Sequence, residues 1–262
     1  IVDSAARLAT EVEKVLERSA GPVRFVAHGM GGLVVRQLIK DAPELWERVC
    51  AHEDGRLVML GTPNHGTHAT VDALLGTAST VQQLAMLDLE RGLTGVLDVI
   101  QDFPGILELL PLTEGGRYFE RATWDQMHAQ CGQGARPDPG RLAKARATLA
   151  GLPEQIPHAE RVLYVAGSSP QTVIGFEGVD GRIVLQATSE GDGRVTYESG
   201  RLPGMQTWYL DAEHGDLPAT ESGYPAILEL LERGTTSRLP TSPPSASRGG
   251  AASFRALPQP AL

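Results

Sequence analysis

The segment that decides the fold runs from Val23 to Arg36 and has the sequence Val-Arg-Phe-Val-Ala-His-Gly-Met-Gly-Gly-Leu-Val-Val-Arg. Its first six residues are mostly apolar, as in a short buried strand. Three glycines follow within four positions, which favours a very tight turn. The apolar residues after the glycines have the spacing of an amphipathic helix, which we expect to end before Pro43. The segment therefore predicts a strand, a tight turn and a helix in immediate succession.

Further apolar segments predict more buried strands, at residues 55–63, 161–167 and 205–210. A strand, a crossover helix and a second strand make a parallel βαβ unit. Residues 3–18 and 218–233 have helical periodicity, and Asp180-Gly181 predicts the turn of a β-hairpin. The sequence thus favours the α/β class, with a mostly parallel sheet flanked by helices.

The composition divides the chain into three parts. Residues 1–233 contain the predicted sheet and form one domain. Within them, residues 64–157 lose the strand signal and favour helices, which predicts a helical cap or lid inserted at the mouth of the sheet; a purely structural helical layer is the alternative. Residues 234–262 are rich in Ser and Pro and predict a flexible linker, with a further C-terminal domain fused beyond it as one possibility.

Composition and charge exclude several classes of function. The chain has 262 residues, 41% of them hydrophobic, and a net charge of -9. An acidic chain is a poor ligand for nucleic acid, and no apolar run approaches the roughly 18 residues of a transmembrane segment. Cys50 and Cys131 form neither a disulfide framework nor a zinc pattern. We expect no metal, no cofactor, no nucleic acid partner, no transmembrane segment, and reduced thiols in a cytoplasmic protein; no signal peptide is visible.

Four motifs in this order resemble the α/β-hydrolase superfamily, in particular lipase/esterase-like members related to lecithin:cholesterol acyltransferase. They are Ala27-His28-Gly29-Met30-Gly31, Leu60-Gly61-Thr62-Pro63-Asn64-His65-Gly66-Thr67, Gly191-Asp192-Gly193-Arg194-Val195 and Glu213-His214-Gly215-Asp216-Leu217-Pro218. The resemblance covers residues 1–233. It implies that the first strands of the sheet would lie before Ile1 and are missing from this chain. Similar domains occur as modules in large bacterial proteins.

The resemblance implies a role for each of four residues. The tight turn corresponds to the nucleophile elbow, Gly-x-Ser-x-Gly, and Gly29 stands where the nucleophilic serine would be. Asp192 matches the acid and His214 the base of the catalytic triad. Met30 matches the residue whose backbone N–H contributes to the oxyanion hole. A serine needs a base to remove its proton and an acid to orient that base, so the sequence retains two of three catalytic groups.

Each candidate has an alternative. Asp192 could be a turn residue, with Asp211 as a weaker rival for the acid, and His214 could be an ordinary loop residue. We interpret His28, just before the elbow, as a packing residue. His65 and His68 lie near the predicted mouth of the sheet and could contact a substrate.

Three functions remain open because glycine has no side chain with which to form an acyl-enzyme. In the first, the chain is a pseudoenzyme: its hydrolase domain no longer hydrolyses carboxylic esters and instead binds a ligand or partner. In the second, it is an active ester hydrolase in which Gly29 is an isolated change. In the third, His214 activates water directly. A small-molecule or lipid ester is the expected ligand.

Overall fold

The structure is a computed structural model that describes residues 1–179, 182–244 and 253–256. These residues form two compact units. The first comprises Ile1–Asn64, Leu152–Pro170 and the described part of Ser189–Arg248. The second comprises His65–Gly151, the described part of Gln171–Thr188 and the strand Ser253–Ala256.

The first unit is built on a four-stranded sheet. Its strands are β1 (Arg24–His28), β2 (Arg56–Leu60), β3 (Val162–Ala166) and β6 (Gln206–Tyr209). They lie in the order β1-β2-β3-β6, and every neighbouring pair is parallel. The four strands predicted from the sequence and the α/β class are therefore confirmed.

Helices cover both faces of this sheet. The helices of the unit are α1 (Val2–Arg18), α2 (Met30–Asp41), α3 (Pro43–Cys50), α10 (Tyr197–Gly200) and α11 (Tyr224–Arg233). Leu57 and Met59 pack in one core cluster together with residues of α1, α2 and α3. Val58 packs in a second cluster that includes Leu230 of α11. Successive side chains of a strand point to opposite faces, so all five residues of β2 are buried.

The last helix is shorter than the sequence pattern suggests. The periodicity predicts a helix over 218–233, whereas α11 begins at Tyr224, after a 3-10 turn at Glu221–Gly223. Pro225 explains the difference, because proline is tolerated in the first turn of a helix but breaks a hydrogen bond in its interior.

The second unit is mainly helical. Its helices are α4 (His68–Leu74), α5 (Ser79–Leu87), α6 (Gly92–Ile100), α7 (Pro104–Leu107), α8 (Arg121–Cys131) and α9 (Pro139–Ala150), with a 3-10 segment at Glu114–Phe119. It also holds an antiparallel sheet of β4 (Thr172–Val179), β5 (Arg182–Thr188) and β7 (Ser253–Ala256). The predicted hairpin strands are β4 and β5, while its Asp180-Gly181 turn lies outside the described residues. The assignment of residues 64–157 as a cap stays a prediction.

The first residues of the predicted linker pack on the sheet of the first unit. The backbone N–H of Tyr209 donates to the carbonyl oxygen of Pro240 (3.0 Å), and Trp208 Nε1 donates to that of Thr236 (3.2 Å). Thr236 and Arg238 also donate to the carboxylate of Glu229 on α11. These bonds anchor residues 236–240 beside β6. Of the rest of the predicted linker, the structure describes residues 241–244 and the strand β7.

Candidate active site

Gly29 occupies a sharp turn between β1 and α2. Its backbone has φ 54° and ψ -126°, a conformation that residues with a Cβ rarely adopt. The turn is fixed by two backbone hydrogen bonds, from Gly29 N to Leu60 O (2.9 Å) and from Gly32 N to Gly29 O (3.2 Å). The strand, turn and helix predicted from this segment thus meet at a backbone geometry suited to glycine.

Asp192 is held by its own turn. Its side chain is only 2% exposed, and its Oδ1 accepts hydrogen bonds from the backbone N–H groups of Arg194 (3.0 Å) and Val195 (2.7 Å). Its Oδ2 is directed to His214 Nδ1, 2.9 Å away. The carboxylate therefore binds two backbone N–H groups of its own turn as well as the imidazole of His214.

His214 connects Asp192 with Gly29. Its backbone N–H donates to the carbonyl oxygen of Asp192 (2.8 Å), and its Nδ1 carries the proton shared with Oδ2, since a carboxylate only accepts. Nε2 is left as the basic nitrogen. A Cβ built on Gly29 would lie 3.3 Å from this nitrogen. The structure thus brings three predicted site residues together, with His214 between Asp192 and Gly29.

Asp211 does not take part in this arrangement. It is exposed, and its Oδ1 accepts a hydrogen bond from Ser168 Oγ (2.8 Å), whereas Nδ1 of His214 is bonded to Asp192. Of the two candidate carboxylates, Asp192 is the one hydrogen-bonded to the side chain of His214.

Two glycines that directly follow strands are in close contact with the segments that carry Asp192 and His214. A Cβ on Gly61, which has φ 55° directly after β2, would lie 2.7 Å from Asp192 Oδ2 and 3.0 Å from His214 Nδ1. A Cβ on Gly167, directly after β3, would lie 2.4 Å from the carbonyl oxygen of Ala212. Sequence reasoning gave neither glycine a role in the site, although a glycine that ends a buried strand is the signal for such a close approach.

Met30 is the first residue of α2. The first N–H groups of a helix have no acceptor within the helix, and they point towards its positive end. The backbone N–H of Met30 is one of these groups, and a role for it in an oxyanion hole stays a prediction.

A buried arginine fixes the loop that follows β2. Arg36 of α2 is 2% exposed, and its Nη1 donates to the carbonyl oxygen and to Oδ1 of Asn64 (3.0 and 3.1 Å). Its Nη2 donates to Pro153 O (2.8 Å), and Asn64 Nδ2 donates to Gly200 O (2.6 Å). Burial lowers the pKa of Arg36 to about 10, so the side chain remains a cation at neutral pH. The sequence alone did not single out this network.

His65 and His68, in and next to the motif that runs from Leu60 to Thr67, belong to the second unit. His68 is 8% exposed, its Nε2 lies 3.3 Å from Glu114 Oε1, and its ring meets Tyr118 edge-on. Burial lowers the pKa of His68. His65 is half-buried. Substrate contact by either histidine stays a prediction.

The described part of the chain shows neither a metal site nor a membrane-spanning helix. There, no group of three or more His, Cys, Asp or Glu side chains is placed to hold a metal ion. None of the helices in that part combines the length and apolar character that crossing a membrane requires.

The mostly parallel sheet flanked by helices, with a sharp turn directly after β1, defines the α/β class of fold. No protein-family profile and no curated protein matches the chain.

Solved structures do match, at low identity. The mature form of the Bacillus licheniformis lipase BlEst2 is 17% identical, with a TM-score of 0.47, over 88% of this chain and 74% of that one. The propeptide form gives the same identity and TM-score over 40% of its length. The Tle4–Tli4 complex is 15% identical, with a TM-score of 0.42, over 97% of this chain and 50% of the other.

Proposed function

We propose that the chain carries a carboxylic-ester hydrolase site of the serine type from which the nucleophile is missing, so that ester hydrolysis by this chain is lost or impaired. The observation that carries the proposal is the position of His214 Nε2, 3.3 Å from the point where a Cβ of residue 29 would lie. On the other side of the ring, Asp192 Oδ2 accepts the Nδ1 proton. In this proposal Gly29, Asp192 and His214 occupy the triad positions, and Met30 N–H belongs to the oxyanion hole.

The proposed chemistry follows from these roles. With a serine at position 29, the hydroxyl would attack the ester carbonyl while His214 Nε2 takes its proton and then passes it to the leaving alcohol; water would release the acid in the reverse sequence. Asp192 would stabilise the imidazolium that forms in each step. Without the hydroxyl no acyl-enzyme can form, and loss of the nucleophile costs about 10⁶ in rate where it has been measured.

The alternative is a non-catalytic module that binds a small-molecule or lipid ester, or a protein partner, within a larger multidomain protein. One observation favours it: glycine at φ 54° relieves the backbone strain that a nucleophile would impose, so the present elbow is optimal for stability rather than for attack.

The test compares the parent chain with Gly29→Ser and Gly29→Ala on p-nitrophenyl esters of short, medium and long acyl chains. Both variants add a Cβ, but only serine adds a nucleophile. We expect Gly29→Ser to exceed Gly29→Ala in kcat/KM by at least about 10³, and Asp192→Asn in the Gly29→Ser chain to abolish most of the gain.

The other outcomes separate the competing hypotheses. Equal, negligible rates in all three chains would contradict the ester hydrolase proposal and favour the binding module, which equilibrium binding of a non-hydrolysable ester analogue then tests. A substantial rate in the parent chain that His214→Gln removes would instead indicate that His214 activates water directly.

A further inference from the structure

His28 has a hydrogen bond that a packing residue does not need. It is the last residue of β1 and directly precedes Gly29, and its Nε2 lies 2.8 Å from the main-chain carbonyl oxygen of His214. A carbonyl oxygen only accepts hydrogen bonds, so Nε2 of His28 carries a proton and donates it. In the neutral ring, Nδ1 of His28 is then the nitrogen without a proton.

The two imidazole rings are also in contact. Their centroids lie 4.7 Å apart, with the ring planes tilted by 39°. His28 therefore restrains both the main chain of His214 and one side of its ring. Burial is the main cause that lowers the pKa of His28, and the bond to the His214 carbonyl opposes that shift. A neutral imidazole still donates the hydrogen bond.

We infer that His28 is a positioning residue, which fixes the distance between the nucleophile position at residue 29 and the basic nitrogen of His214. The inference rests on the proposed function, because it assigns these two positions to one reaction. His28 and Gly29 are neighbours in the chain. The turn that positions residue 29 therefore also holds the main-chain carbonyl of His214 through the hydrogen bond from His28.

The remaining bonds of His214 explain why this anchor is needed. Asp192 accepts from both the backbone N–H and the Nδ1 of His214, so it fixes the base relative to the acid. Neither bond fixes the base relative to Gly29. The bond from His28 does so, and a misplacement of about 1 Å between reacting groups can cost about 10² in rate.

The kinetic test uses the Gly29→Ser chain with two further substitutions. His28→Gln keeps a donor at about the reach of Nε2, whereas His28→Leu keeps the bulk and removes the donor. We expect His28→Leu to lower kcat at least about tenfold with little change in KM, and His28→Gln to restore kcat to within about threefold. Equal kcat in both variants, whether reduced or not, would overturn the inference.

A second measurement needs no catalysis and uses the chain with Gly29. Nitrogen NMR of the imidazoles should find the proton of neutral His28 on Nε2, and His28→Leu should increase the solvent exchange of the Asp192-bound Nδ1 proton of His214. A proton on Nδ1 of His28 would overturn the inference even if no variant could be purified. If Gly29→Ser is inactive but the exchange rate rises, the proposed reaction fails while the positioning role of His28 stands.

Discussion

Replacing Gly29 with alanine should destabilise the protein, and replacing it with serine should do so by less. Either substitution adds a Cβ to a residue with φ 54° and ψ -126°. Residues held in such a region cost about 1–3 kcal/mol. The added Cβ would also lie 3.3 Å from His214 Nε2, which requires the imidazole to move by a few tenths of an ångström.

Serine recovers part of this cost. Its hydroxyl can donate to the unprotonated Nε2 of His214, and one such hydrogen bond contributes about 0.5–1.5 kcal/mol. For a chain of this size a loss of 1 kcal/mol lowers the melting temperature by about 2–4 °C. We therefore expect Gly29→Ala to lower the melting temperature by about 2–12 °C and Gly29→Ser to lie between Gly29→Ala and the parent.

Thermal unfolding followed by circular dichroism measures the three melting temperatures. Gly215→Ala is the matched control, because a Cβ there meets no atom within 4 Å and its φ lies outside the left-handed region. This control should leave the melting temperature unchanged within about 2 °C. A Gly29→Ala chain that unfolds at or above the parent temperature would refute the strain argument. A Gly29→Ser chain less stable than Gly29→Ala would refute the hydrogen bond to His214.

Three further predictions concern the environment of the site and two buried groups. Gly61→Ala should lower the free energy of unfolding by about 2–4 kcal/mol, because the added Cβ would lie 2.7 Å from Oδ2 of Asp192. Urea unfolding measures this free energy, and a loss below about 1 kcal/mol would contradict the close approach. Burial raises the pKa of the Cys50 thiol to about 12. In a Cys131→Ser chain at pH 8, iodoacetamide should therefore react about 10³ times more slowly with the folded than with the unfolded protein. Equal rates would contradict the raised pKa. Burial lowers the pKa values of His28 and His68 below the ordinary histidine value of 6.5. Below pH 6.5 the unfolded chain therefore binds more protons than the folded chain, and the free energy of unfolding should fall as the pH drops. A free energy of unfolding that stays constant down to pH 5 would contradict this sign.

The sequence predicted the parts of this structure that local patterns encode. The run from Val23 to His28 and the glycines after it are enough to place a strand and a sharp turn, since both depend on neighbouring residues. The motifs around Asp192 and His214 were likewise visible, while their roles as acid and base stay predictions. The predicted start of α11 at residue 218 was wrong, because the helical periodicity of the sequence begins before Pro225, which has to lie in the first turn of the helix.

Contacts between distant segments escaped sequence reasoning. Nothing near Arg36 indicates that its guanidinium binds the backbone and side chain of Asn64, since that contact exists only when β2 and α2 are neighbours. Gly61 is a similar case, because the side chains that leave no space for a Cβ there lie more than a hundred positions later in the chain. His28 was interpreted as a packing residue for the same reason, as its acceptor is 186 positions away.

The presence of Asp192 and His214 close to Gly29 has a structural explanation as well as a chemical one. Asp192 satisfies two backbone N–H groups of its own turn and two nitrogens of His214, and a buried carboxylate stripped of such partners is costly. The pair therefore holds together the loops after β5 and β6 whether or not a reaction occurs. Its presence does not by itself favour an active enzyme over a binding module. The rate of Gly29→Ser relative to Gly29→Ala separates the two, because the two side chains impose the same backbone strain and differ only in the nucleophile.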